Sequence, residues 1–264
     1  MILCLDVGNS QIFGGVFEGA AIKLKFRYES NQTSTSDQLG LFLKGVLKEN
    51  GIDTKKIQHI AISSVVPGLD YSLGSACIKY FNIEPFFLQP GVKTGLKIKT
   101  SHPNEVGSDL IASAIAGSAK FPHQNLMIID FGTATTYIAI SKQKEFLGAI
   151  IQAGIRVSME ALQTNAAKLP PVRIIKPEHA LGKNTIHSIQ SGLYYGQLGA
   201  IKEVITHVKR DVFKDDKLVV VGTGGFSTLF DREKLFNSIE PDLVLDGIRL
   251  ALHYTLVSDL VKKT

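Results

Sequence analysis

Two carboxylates in this chain stand in near-identical settings. Ile2-Leu3-Cys4-Leu5 is an apolar run that ends on Asp6 and continues as Val7-Gly8-Asn9-Ser10. Met127-Ile128-Ile129 ends on Asp130 and continues as Phe131-Gly132-Thr133-Ala134-Thr135-Thr136. A glycine in such a turn lets the backbone approach an anion closely, while amides and hydroxyls donate to phosphate oxygens. A carboxylate closing a buried strand needs a partner, because an isolated buried charge is expensive. Mg²⁺ or K⁺ beside nucleotide phosphates would supply one. For either copy alone the alternative is that the acid binds amides of its own turn, as Asp commonly does. Two matched copies point instead to a duplicated fold with a nucleotide between its halves.

A third acid, Asp109, sits in Gly107-Ser108-Asp109 at the head of an alanine-rich stretch. It fits a helix cap or a dipole partner, and equally a general base beside a substrate hydroxyl; Glu105 is the rival for that second role. Gly222-Thr223-Gly224-Gly225 follows the apolar run Leu218-Val219-Val220-Val221. Such a cluster suits a nucleoside lying against the backbone or a phosphate at a helix start, and it also suits an ordinary tight turn. Two common nucleotide fingerprints are disfavoured. Gly222-x-Gly224 meets Ser227 where the dinucleotide motif needs glycine, and Gly182-Lys183-Asn184-Thr185 has Pro177 and Asn184 where a P-loop needs glycine and a hydroxyl. Ser63-Ser64 lacks a nucleophile-elbow context, so no hydrolase triad is expected.

The elements that must position these groups alternate between strand and helix patterns, the mark of an α/β protein. The periodicity predicts a hairpin over 2–17, a third strand over 22–28, a helix carrying Leu39, Phe42, Leu43, Val46 and Leu47 on one face, a strand over 57–65 and a helix over 67–81. A short strand follows at 85–88, then a loop over 91–99 and the helix after Asp109. A boundary falls at Phe121-Pro122-His123-Gln124-Asn125, giving blocks 1–120 and 121–264. The second block opens with its own hairpin and continues with a strand over 146–152, helices over 157–167 and 185–210, the strand entering Gly222, a helix at 226–230 and a last helix over 245–261.

Composition narrows the class. The 264 residues are 44% hydrophobic and 20% charged, which excludes a disordered chain, and no apolar run is long enough to span a membrane. No basic segment precedes the first strand, so no signal peptide is expected and the cytoplasm is the expected compartment. Cys4 and Cys77 form neither a disulfide framework nor a zinc pattern, and the seven histidines show no metal spacing. The net charge of +5 favours anionic ligands, but the basic residues are scattered, so no nucleic-acid surface is expected.

The motifs together resemble the type III pantothenate kinase family, within the superfamily of acetate kinase, sugar kinases, Hsp70 and actin. Asp6-Val7-Gly8-Asn9-Ser10 is similar to the family's first phosphate motif and Asp130-Phe131-Gly132-Thr133-Ala134-Thr135-Thr136 to its second. Glu105-Val106-Gly107-Ser108-Asp109 is similar to its substrate motif. Ala161-Leu162 with Leu169-Pro170, Gly182-Lys183-Asn184-Thr185, Gln190-Ser191-Gly192 and Thr223-Gly224-Gly225 follow in the family's order. The resemblance implies two ribonuclease H-like (actin-like ATPase) domains, each a mixed five-stranded sheet flanked by helices. It implies ATP-dependent phosphorylation of pantothenate, the first step of coenzyme A synthesis, with Mg²⁺ and a monovalent cation (K⁺ or NH₄⁺). It places Asp6, Val7, Gly8, Asn9, Ser10, Gln11, Ile12 and Phe13 around the ATP phosphates, with Thr133, Gly224 and Gly225 also at the nucleotide. Asp130 would hold the monovalent cation, Asp6 would lie beside Mg²⁺, and Asp109 would accept the proton. Thr100, Gly107, Ser108, Leu110 and Thr185 would line the pantothenate site, near the interface of a homodimer.

Three positions depart from the family pattern. Leu110 stands where arginine usually follows the Gly-x-Asp motif, Thr100 where tyrosine is usual, and Ala153 where proline precedes Gly154. Leucine cannot replace a guanidinium facing a carboxylate substrate. Nearby Arg156, Lys97 and Lys99 are the candidate substitutes. The expectation is retained nucleotide binding with weakened or altered pantothenate binding. The alternatives are a paralogue acting on another small hydroxy acid and a catalytically weak nucleotide-binding regulator.

Overall fold

A computed structural model describes residues 1–166 and 168–261. The chain divides into two compact units, each assembled from separate stretches. The first takes Met1–Leu96, Ser101–Ala119 and the chain from Leu243 onward; the second takes Lys97–Thr100 and Lys120–Asp242. Two stretches thus depart from a simple cut at 120/121. The last helix returns to the first unit, and a four-residue piece of the 91–99 loop region joins the second.

In the first unit, β1 (Ile2–Val7), β2 (Gln11–Glu18), β3 (Ala21–Glu29), β4 (His59–Ser64) and β5 (Phe86–Phe87) form one sheet in the order β3-β2-β1-β4-β5. β1 runs antiparallel to β2 and parallel to β4. One face packs Leu3, Leu5, Ile12, Val16, Phe26, Ile60 and Ile62 against α1 (Ser36–Glu49) and α2 (Pro67–Phe81). Thr35 and Gln38 close the start of α1 as a reciprocal capping box, which satisfies backbone donors that a helix start leaves open. The first unit also holds most of α3 (Ser108–Lys120) and α6 (Leu243–Val261). α6 lies across β1, β2 and β4, with Leu245 against Gly15 and the Arg249 guanidinium over the Phe17 ring.

The second unit repeats the plan. β7 (Asn125–Phe131), β8 (Ala134–Ile140), β9 (Glu145–Ala153), β10 (Leu218–Thr223) and β11 (Ser238–Ile239) stand in the order β11-β10-β7-β8-β9. Read from its third strand this is the first unit's order, with β7 antiparallel to β8 and parallel to β10. A sixth strand, β6 (Lys97–Ile98), pairs beside β9, so this sheet has six strands where five were expected. β6 is only two residues long, and its neighbouring amides, Lys97 and Lys99, donate to the carbonyls of Lys144 and Phe146. A segment so rich in glycine and lysine carries no apolar alternation to announce a strand. The core of this unit packs Ile129, Phe131, Tyr137 and Val220 against Leu193, Tyr194, Leu198 and Ile201 of α5 (Thr185–Asp211). α4 (Ile155–Asn165) follows β9 directly. The helix expected over 157–167 begins two residues earlier, and Ala167 lies outside the described residues. The helix expected at 226–230 is a 3₁₀ helix, Ser227–Glu233.

Candidate functional site

The two acidic turns are built alike. In the first, Asp6 pairs across the hairpin with Phe13, and the Gly8 amide donates to the Gln11 carbonyl at 3.1 Å. In the second, Asp130 pairs with Thr136, and the Gly132 amide donates to the Ala134 carbonyl at 3.1 Å. The second turn is one residue tighter, leaving Gly132 and Thr133 between its strands where the first leaves Gly8, Asn9 and Ser10. Both acids are half-buried at the strand ends, while Asn9, Ser10 and Thr133 are exposed at the tips. The side chains of Val7 and Ile12 point the other way, into the core. Any contact they make with a phosphate is therefore through the backbone.

In the second unit the Asp130 carboxylate lies against Gly224, which has φ +82°. A Cβ built there would overlap that carboxylate and stand 2.6 Å from the Phe131 nitrogen. Glycine is thus required twice at this position, by backbone conformation and by space. Gly225 has open space around it. Gly154, at the start of α4, donates to the Thr133 carbonyl at 3.1 Å, and a Cβ there would stand 2.7 Å from the Gly132 oxygen. Thr136 faces Asp130 across the hairpin, and its hydroxyl oxygen is buried with no hydrogen-bond partner.

The start of α3, which carries Asp109, is tied to β4, the strand beside β1. Ser63 stands in register with Asp6 on the neighbouring strand. The Ser63 and Ser108 hydroxyls are 2.9 Å apart in a hydrogen bond, and Ser108 donates to the Ser64 carbonyl at 3.0 Å. These bonds tie the first residue of α3 to the end of β4, and Asp109 is the next residue. Its Oδ1 accepts from the Leu110 amide at 2.8 Å. Gly107 makes room for it, since a Cβ at 107 would stand 2.5 Å from that oxygen. Burial pushes the Asp109 carboxyl above the usual aspartate value of 3.8, and the bonded amides offset only part of this. Glu105 sits exposed on the 3₁₀ turn Pro103–Glu105, in none of these surroundings.

The remaining expected substrate residues lie on both units. Leu110 is half-buried on α3. Thr100 belongs to the second unit, and its hydroxyl oxygen is also buried without a hydrogen-bond partner. Thr185 opens α5 behind the cap Asn184, whose side chain accepts from the His187 amide. It borders an open cavity of ≈ 670 Å³ with Ser158, Ser188, Leu162 and Leu169. Of the candidate substitute cations, Lys99 pairs with Glu145 at 3.5 Å and Arg156 lies over the Phe226 ring.

Among the described residues no group of three or more His, Cys, Asp or Glu side chains could hold a metal ion. Mg²⁺ delivered with a nucleotide needs only one or two carboxylates, the phosphates and water supplying the rest, so single acids at two turns fit that mode. Cys4 and Cys77 are buried free thiols; burial pushes Cys77 up to about 12 and raises Cys4 further.

Comparison with known proteins decides the family. The type III pantothenate kinase family model matches residues 2–207. A type III pantothenate kinase of Legionella pneumophila (strain Corby) is 59% identical over 251 residues, covering 95% of this chain and 98% of that protein. The chain belongs to the type III pantothenate kinase family. That membership assigns it a kinase activity toward pantothenate, at the entry to coenzyme A biosynthesis. Among solved structures, a putative 2-dehydro-3-deoxygalactonokinase from Sinorhizobium meliloti matches with TM-score 0.57 at 12% identity, covering 96% of each chain. A putative Baf family transcriptional activator from Campylobacter jejuni matches with TM-score 0.56 at 17% identity, covering 96% of this chain and 98% of that one. At such identities the likeness concerns the fold, which is the duplicated ribonuclease H-like plan of the actin-like ATPases and sugar kinases.

Ser63 and Thr136 are the residues that sequence reasoning passed over. The local sequence around Ser63 offers only a hydrolase comparison, whereas its tie to Ser108 links residues 45 positions apart. Thr136 was noted as part of a motif, whereas its orphaned hydroxyl emerges only from the packed hairpin.

Proposed function

We propose that the protein transfers the γ-phosphoryl group of ATP to the primary hydroxyl of pantothenate, with Asp109 as proton acceptor. The observation that carries this reading is the hydrogen bond between Ser63, the register partner of Asp6, and Ser108, the residue before Asp109. It sets a carboxylate of raised proton affinity beside a phosphate-type turn. A base is most useful when its pKa approaches the working pH, and burial moves the Asp109 carboxyl in that direction. As the new P–O bond forms, Asp109 takes the hydroxyl proton, the bond to the β-phosphate oxygen breaks and ADP leaves. Phosphoryl transfer asks mainly for alignment and charge stabilisation. Backbone amides and hydroxyls at 8–10 and at 132–133 orient the phosphates, and Asp6 would hold Mg²⁺, whose charge screens the phosphate oxygens.

Asp130 would hold the monovalent cation. Its support is the orphaned Thr136 hydroxyl opposite it, an oxygen donor without a protein partner. Thr100, Gly107, Ser108, Leu110 and Thr185 would form the acceptor side, and the unpartnered Thr100 hydroxyl suits a ligand contact. Leu162, Leu181 and Ile186 are exposed near the start of α5, an apolar surface that supports a homodimer close to Thr185. No helix among the described residues is long and apolar enough to cross a membrane; the cytoplasm is the proposed compartment. A second reading, a kinase of another small hydroxy acid, is favoured by one residue, Leu110. The test is coupled ADP-release kinetics with and without pantothenate, in K⁺ and then in Na⁺ buffer. Turnover should require pantothenate and should be faster in K⁺. ADP release indifferent to pantothenate would overturn the reading, and indifference to the cation would remove that role from Asp130.

A further inference from the structure

The face of the first sheet that carries Asp6 also carries a cation to which neither the motifs nor the family resemblance gives a task. β1, β2 and β3 place Asp6, Phe13 and Arg27 in one transverse row, Asp6 opposite Phe13 and Phe13 opposite Arg27. Directly opposed residues in antiparallel strands project to the same side. With neighbouring strands about 4.8 Å apart, the Asp6 and Arg27 backbones are about 10 Å apart. A nucleotide polyphosphate spans such a gap.

The Arg27 side chain is also held in place. Its guanidinium carbon lies 4.1 Å from the centre of the Phe13 ring, and Nη1 is 3.4 Å from Gln11 Oε1. Both supports belong to the first phosphate turn and its returning strand. Phe13 is buried, so the ring is a fixed platform, and stacking on it leaves the planar edge of the guanidinium open. Arg27 does not pair with Glu29, the acid two positions away on the same face. Lys23, earlier on β3, is already paired with Glu18 at 3.0 Å. An exposed guanidinium fixed by a ring and an amide is suited to an external oxyanion.

We propose that Arg27 grips the terminal phosphate oxygens of the nucleotide seated on the first turn. This rests on the reading that residues 6–13 hold ATP. Phe13 and Gln11 act as positioning residues, holding the guanidinium where the phosphates end.

The experiment is calorimetric titration of the full-length protein with the non-hydrolysable analogue AMP-PNP, with ADP and with AMP, in Mg²⁺ buffer. Wild type is compared with Arg27→Gln, Arg27→Lys and Asp6→Asn, and the pantothenate KM is read in parallel. Loss of a charge-assisted, two-point contact weakens binding by about tenfold to a hundredfold. Arg27→Gln should lose that much affinity for AMP-PNP and none for AMP, with an unchanged pantothenate KM. Arg27→Lys should keep the charge, lose the fork and fall between, which a purely structural role would not produce. Thermal midpoints within a degree of wild type keep the comparison to binding. If Asp6→Asn alters AMP-PNP affinity and Arg27→Gln does not, the role of Arg27 is overturned while the turn keeps its nucleotide. If neither variant alters it, the reading of the turn fails first. A raised pantothenate KM with intact AMP-PNP binding would assign Arg27 to the acceptor carboxylate and overturn the proposal.

Discussion

Replacing Gly224 with alanine adds one methyl group at the most crowded glycine beside the second turn. Two penalties add. An L-residue held at φ +82° bears about 1–2 kcal/mol of backbone strain. The added carbon would also stand 2.6 Å and 2.8 Å from the Phe131 nitrogen and carbonyl carbon, and closer still to the Asp130 carboxylate. The side chain can swing aside, but the strand backbone cannot, and overpacking of this kind costs about 1–3 kcal/mol. The expected loss is therefore about 2–5 kcal/mol, with Asp130 displaced from its resting place. Gly225→Ala is the internal control. Its φ is ordinary and no atom lies within 4 Å of the added carbon, so it should be neutral or stabilising by up to about 1 kcal/mol. Urea unfolding of both variants measures the stability difference, and AMP-PNP titration in K⁺ measures the local effect. Equal stability of the two variants would refute the claim that Gly224 is fixed by the Asp130 carboxylate and the Phe131 backbone.

Two further outcomes follow from the acceptor side. Because burial raises the Asp109 carboxyl, the folded state bears an ionised, poorly hydrated group at neutral pH. Asp109→Asn should be more stable than wild type there. That advantage should shrink as pH falls through the raised pKa toward 3.8, where the wild-type folded state takes up its proton first. The acid limb of kcat should lie above 3.8 for the same reason, and paired thermal melts at several pH values would expose a constant or widening gap, which is the contrary result. Leu110→Arg should lower the pantothenate KM about tenfold, with the ATP KM unchanged, if a guanidinium there meets the acceptor carboxylate; an unmoved pantothenate KM contradicts it.

The hairpin pair was legible because an apolar run, an acid and a glycine are local signals, and their repetition exposed the duplication. The topology behind it extends the repeat to five strands, with β4 and β10 playing equivalent parts beside β1 and β7. Short-range periodicity also located the helices, although α4 starts at Ile155 rather than 157 because Gly154 already begins the helix. What was hidden depended on contacts between distant residues. The two-residue strand β6 exists only through its bonds to Lys144 and Phe146. The return of α6 to the first unit follows from its packing on β1, β2 and β4, which its own apolar pattern does not specify. Arg27 looked like one more scattered cation until the register aligned it with Phe13 and Asp6. Lys99, weighed as a substitute for a missing arginine, is engaged by Glu145.

The central claim is that Asp109, set beside the first turn, accepts the proton from pantothenate. The most direct measurement is pantothenate-dependent ADP release by wild type and Asp109→Asn, with AMP-PNP affinity of both measured in the same buffer. A positioned general base contributes about 10²–10⁴ in rate. The account predicts a fall of that size in kcat with AMP-PNP affinity unchanged. An unchanged kcat in Asp109→Asn, or no pantothenate-dependent release by wild type at millimolar substrate, would contradict it.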